Sequence, residues 1–133
     1  MDDDDAVTTI VTEILRKALW NITYHEYELK KAHSTKALVI ALLKRVEMSM
    51  TYAEAKAICD EIEDEDFFKS FREFIAYTVK EAYSSVEYHE EQLSKGHVEL
   101  ASGKALIKRV GLNLSLDEIQ AKVNKQFFCG RMK

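Results

Sequence analysis

Two ten-residue stretches of this chain hold most of its candidate chemistry, YHEYELKKAH at 24–33 and YHEEQLSKGH at 88–97. Each places a Tyr-His-Glu triplet ahead of a second histidine. Histidine and glutamate bind zinc and exchange protons near neutral pH. The spacing decides how they could do so. His25 and His33 lie eight residues apart, as do His89 and His97. On a helix, eight residues mean about 12 Å of rise and about 80° of rotation, too far for one ion. The zinc pattern of histidines at i and i+4 is absent, and so is the Glu-x-x-His of di-iron bundles. A metal centre would have to join the two stretches, His25 or His33 with His89 or His97. The carboxylates in reach by sequence are Glu26, Glu28, Glu90 and Glu91. Against this, His25, Leu29, His33 and Ala37 follow one another at i, i+4 steps beside an apolar stripe, where an amphipathic imidazole packs well. The expectation is therefore structural or surface histidines, with no metal and no cofactor.

Other catalytic patterns are missing. There is no glycine-rich phosphate loop, nucleophile elbow or Cys-x-x-Cys. Cys59 and Cys129 are too few for a disulfide framework and read as buried thiols. No enzyme is expected. Two basic pairs, Lys44-Arg45 and Lys108-Arg109, could meet nucleic acid or an acidic partner. Their simpler reading is charge placed at the negative end of a helix dipole.

The elements that carry these residues follow from an internal repeat. Shifting the chain by 64 residues pairs Ala18, Tyr24, His25, Glu26, Leu29, Lys31, His33, Ala37, Ala41, Leu42, Lys44, Arg45, Val46, Glu54 and Ala57 with identical residues at 82–121. Unrelated sequence would give about 3 or 4 such identities over this length. The match runs without a gap, which indicates tandem duplication, with repeats at about 2–64 and 66–128.

Each repeat reads as a short, a long and a short helix. The first has an apolar stripe at Val7, Ile10, Val11, Ile14, Leu15 and Ala18. Its counterpart is Phe67, Phe68, Phe71, Phe74, Ile75, Thr78, Val79 and Ala82, and the bulky Phe67, Phe71, Phe74 and Ile75 are expected to hold the copies together. Acidic runs stand before both and complement the helix dipole. The long helix covers about 24–46 and 88–110, with Thr23 as the N-cap of the first copy. The last opens after Thr51 or Ser115, with Glu54 or Glu118 completing a capping box. Its stripe is Tyr52, Ala55, Cys59 and Ile62, or Leu116, Ile119, Val123 and Phe127.

The expected fold is thus all-α, a tandem duplication of a three-helix unit packed as one pseudo-twofold six-helix bundle in a single domain, 1–133. Composition agrees: no proline, four glycines, 47% hydrophobic and 32% charged residues. The layout resembles a histone-fold doublet, from its short-long-short helices, capped third helix and tandem pairing. That resemblance implies head-to-tail pairing of the units and binding of DNA or acidic partners at paired loops. A net charge of −4 argues against a surface that is basic throughout.

The leading functional expectation is a non-enzymatic helical protein for protein–protein interaction or assembly, with another protein or itself as partner. The C-terminal QFFCGRMK offers Phe127 and Phe128 as contacts. Alternatives are a nucleic-acid-associated protein and a metal-binding bundle using the histidines. The acidic start lacks a secretion signal, and uncharged runs such as 37–43 are far short of the roughly 18 residues a membrane span needs. A cytoplasmic location is expected.

Overall fold

A computed structural model describes residues 3–64 and 67–131, with side chains described over 5–64 and 67–129. The described residues are helical, with no strand among them. Four helices stand where six were expected: α1 (Asp3–Arg45), α2 (Tyr52–Asp60), α3 (Phe71–Val110) and α4 (Leu116–Arg131). The first and second helices of each repeat have fused. No glycine or proline interrupts 3–45, and Thr23 does not cap. Its hydroxyl donates to the Leu19 carbonyl at 2.8 Å, a bond made inside a continuing helix. Ending a helix there would leave carbonyls and N–H groups without partners. Continuation avoids that. The short-long-short order behind the histone-fold resemblance is accordingly not formed.

Where helices do end, the local chemistry is explicit. Glu47 (φ 54°) and Gly111 (φ 69°) take left-handed conformations just past α1 and α3. The Met48 N–H then reaches back to the Leu43 carbonyl at 2.9 Å, and the Leu112 N–H to Ile107 at 3.1 Å. These are Schellman ends, each closed by an apolar contact across the turn. Thr51 opens α2 with the expected capping box: its hydroxyl accepts from the Glu54 N–H at 3.1 Å, and Glu54 accepts from the Thr51 N–H at 3.4 Å. Ser115 accepts from the Glu118 N–H at 3.2 Å at the start of α4. Ser70 likewise accepts from the Glu73 N–H, so α3 starts at Phe71 and Phe67 and Phe68 precede it.

The chain divides into two compact units, and neither coincides with a repeat. Unit 1 is Met1–Tyr27 with Glu90–Lys133, and unit 2 is Glu28–His89. Unit 1 therefore joins the first part of α1 to the second part of α3 and α4. Its core is Val11, Leu15, Leu19, Ile119 and Val123, backed by Leu100, Leu106, Ile107 and Leu112. Unit 2 joins the rest of α1, α2 and the first part of α3 around Val39, Leu43, Met50, Ala55, Ile75 and Val79. In unit 2, Tyr52 ties α2 to α3, with its hydroxyl 2.8 Å from Ser84 Oγ and its ring 5.5 Å from that of Tyr83.

Only half of each expected stripe is buried. Val11, Leu15 and Ala18 are core, whereas Val7, Ile10 and Ile14 are exposed. Ile75, Val79 and Ala82 are core, whereas Phe67, Phe71 and Phe74 are 69%, 56% and 44% exposed. Of the four residues expected to hold the copies together, Phe67, Phe71 and Phe74 are surface residues and Ile75 is core. Their arc was too wide for one buried face.

Candidate functional site: an aromatic groove in unit 2

Exposed Phe74 and half-buried Phe68 border a groove of about 550 Å³ within unit 2. One wall is α1, through Glu28, Lys31, Ala32 and Thr35; the other is α3, through Phe74, Tyr77, Thr78, Glu81, Ala82 and Ser85. Buried Ala32 and Ala82 are small, so the groove is open between the helices instead of being filled by their side chains. Phe68, from the segment before α3, closes the aromatic end. Its ring lies 5.8 Å from that of Phe74 and 5.4 Å from that of Tyr77. Phe71 stacks on Phe74 at 6.2 Å, extending the lip outward. The size falls in the range of ligand and peptide sites, about 300–1,000 Å³.

Some polar groups on this surface are paired within the chain. Thr78 donates to the Phe74 carbonyl at 2.9 Å. Lys31 Nζ is 3.8 Å from a Glu28 carboxylate oxygen. Among the described residues lining the groove there is no histidine or cysteine. The surface can pack apolar groups and orient a few charges.

The residues singled out in the sequence lie elsewhere. His25 is buried in unit 1, its ring 4.9 Å from that of Tyr24, while His97 in the same unit is exposed. In unit 2, His33 is exposed and His89 half-buried with its ring 5.0 Å from Tyr88. Glu26 and Glu90 are exposed. Among the described residues, no three His, Cys, Asp or Glu side chains come together to hold a metal ion. Lys44 and Arg45, and Lys108 and Arg109, are exposed in the last turns of α1 and α3.

Phe127 is a core residue of unit 1. It is 4% exposed, with Trp20, Tyr24 and Tyr27 rings at 5.7, 6.3 and 5.7 Å from its own. Phe128 stays 46% exposed. Nor is either thiol buried as expected: Cys59 is half-buried and Cys129 exposed. Glu13 and Arg16 shift each other's acidity. Their hydrogen bond (Arg16 Nε donates at 3.0 Å) lowers the Glu13 pKa and raises that of Arg16.

The groove itself was not read from the sequence. Its available signals were the over-wide arc of apolar residues on the first helix of each repeat and four phenylalanines at 67–74 directly after an acidic run. Comparison with protein-family models, curated proteins and solved structures finds no match. No helix among the described residues is long and apolar enough to cross a membrane.

Proposed function

We propose that this chain is a non-enzymatic helical protein that binds another protein through the groove and aromatic lip of unit 2, on a scaffold that arose by tandem duplication. The exposure of Phe67, Phe71 and Phe74 together is the observation that carries the reading. Full burial of one phenylalanine is worth about 1.5–3 kcal/mol, and this chain leaves Phe67 and Phe71 more than half in water and Phe74 exposed at the edge of a preformed groove. Clustered exposed apolar surface of this kind marks contact with another macromolecule.

Duplication is supported by the register of the helix ends. The left-handed residues Glu47 and Gly111, the caps Thr51 and Ser115, and the first residues Tyr52 and Leu116 of α2 and α4 all fall at the 64-residue shift. The exposed half-stripes obey it too. Val7 and Ile10 align with Phe71 and Phe74. On this reading the aromatic lip is a specialised copy of an apolar strip present in both repeats.

The test is partner capture followed by reconstitution. The chain and a variant with Phe71→Ser and Phe74→Ser are compared for binding to any co-purified protein, with purified components and a measured stoichiometry. Selective loss of binding in the variant is expected. Equal affinity of both forms for the same partner would remove the aromatic lip from the interaction.

A further inference from the structure

The groove also constrains what kind of partner fits it, given the protein-binding role just proposed. We infer that its occupant is a basic amphipathic helix of a partner protein. Both walls are helices, whose backbone N–H and C=O groups are already paired within α1 and α3. No strand edge is offered, so an occupant must satisfy its own backbone. A helix does this and presents side chains alone. The α3 wall runs from Phe74 to Ser85, about 16 Å at helical rise, which matches about three turns of an inserted helix. Ala32 and Ala82 let that helix approach closely, while Phe68, Phe74 and Tyr77 form a cup for one aliphatic anchor such as leucine.

Charge selects the sign of the occupant. Six of the seven residues at 60–66 are Asp or Glu, directly ahead of Phe67 and Phe68. Asp60, Glu61, Glu63 and Asp64 are exposed, and the Phe67 N–H donates to the Asp64 carbonyl at 3.1 Å, so these four carboxylates precede the aromatic end closely in the chain and outnumber the exposed Lys69 and Arg72 that follow. On the α1 wall, the Glu28–Lys31 pair offers no net charge. Lys30 lines a neighbouring hollow with Ser34 and does not line the groove itself. On α3, Glu81 adds a further carboxylate. Lysines and arginines on the outward side of the occupant would meet this rim while its apolar side fills the groove. The rim steers association and sets specificity, and the cup supplies the anchor.

The experiment uses the full chain and fluorescence polarisation with three labelled model peptides. The first is a helix of about 14 residues with leucines on one face and lysines and arginines on the other. The second replaces its basic residues by glutamate, and the third breaks the basic helix with a central proline. The basic helix should bind, its affinity falling as salt rises, and the acidic and broken peptides should bind at least about tenfold more weakly. Phe74→Ser should weaken the basic helix by about 30-fold, the scale of a lost anchor. Glu63→Lys with Asp64→Lys should weaken it and flatten the salt dependence, with helicity and melting unchanged in both variants. Equal binding of the acidic helix, still lost in Phe74→Ser, would overturn the charge assignment and leave the protein-binding role standing. Failure of the basic helix to bind, or binding indifferent to Phe74→Ser, would overturn the inference outright. Dimerisation of the chain abolished by Phe74→Ser would seat a second copy in the groove and also overturn it. Tight binding of a duplex DNA or anionic vesicle at the same groove would do the same.

Discussion

Gly96 of α3 lies against Ile22 of α1 in unit 1 so closely that a Cβ on the glycine would stand 2.9 Å from Ile22 Cγ1. At the 64-residue shift the corresponding residues are Ala32 and Val86, both buried in unit 2. One methyl group has moved from one helix to the other, and the combined side-chain volume is conserved. Gly96→Ala should gain about 1 kcal/mol of helix propensity and lose about 1–3 kcal/mol to overpacking. Ile22→Val alone should cost about 0.5–1.5 kcal/mol. The double variant reproduces the Ala–Val pair and should be more stable than either single one by urea unfolding. Additive losses would show that the contact is not the determinant.

Gly103 makes a similar accommodation for Leu15, whose Cδ2 would be 2.6 Å from an added Cβ. Leu15 is fully buried, so it cannot swing aside into water. Gly103→Ala should destabilise the protein, and adding Leu15→Val should recover part of the loss. The aligned positions, Val39 and Val79, share the core of unit 2. Thermal midpoints of the three variants check the order.

The two Schellman ends differ in the residue that takes positive φ. Glu47 bears a side chain at φ 54°, while Gly111 has none at φ 69°. Glu47→Gly should therefore stabilise the chain by about 0.5–1 kcal/mol, and Gly111→Ala should destabilise it by about 1 kcal/mol. Chemical denaturation of both variants measures the opposite signs directly.

Phe71 and Phe74, being exposed, should contribute little to folding. Phe71→Ser and Phe74→Ser should each lower stability by less than about 1 kcal/mol, whereas Leu15→Ala should cost about 2–5 kcal/mol. A large loss of melting temperature in the phenylalanine variants would mean that the lip is part of the core.

Glu13 should titrate below the ordinary glutamate range because Arg16 hydrogen-bonds its charged form. A folded-state pKa below the unfolded value contributes stability above the unfolded pKa, and this is lost as pH falls through the lowered folded value. The pair is solvent-exposed, so the effect on stability is small. Carboxyl chemical shifts followed through acid titration should show the low midpoint, and Arg16→Gln should return it to the usual range.

Several features needed no tertiary information. The helical class follows from periodic apolar residues and the absence of proline; the caps at Thr51 and Ser115 follow from a hydroxyl three residues before a glutamate. The 64-residue register is a property of the sequence alone. These are local signals, each set by a few neighbours along the chain. What required the tertiary structure was the choice between alternatives of similar local energy. Thr23 has the composition of a cap but bonds to Leu19, because continuing the helix leaves fewer backbone groups unpaired. The first helix of each repeat carries more apolar surface than one neighbour can cover, so packing buries Val11, Leu15, Ile75 and Val79 and leaves Ile10 and Phe74 outside. The partition into units was decided the same way. Residues 3–27 and 28–45 belong to one sequence repeat and one continuous helix, yet they enter different cores, since each core takes its third helical segment from the other repeat. Similarity between repeats makes their segments nearly interchangeable as packing partners. Helix continuity through 3–45 and 71–110, together with the fit of small residues against large ones, selects among them.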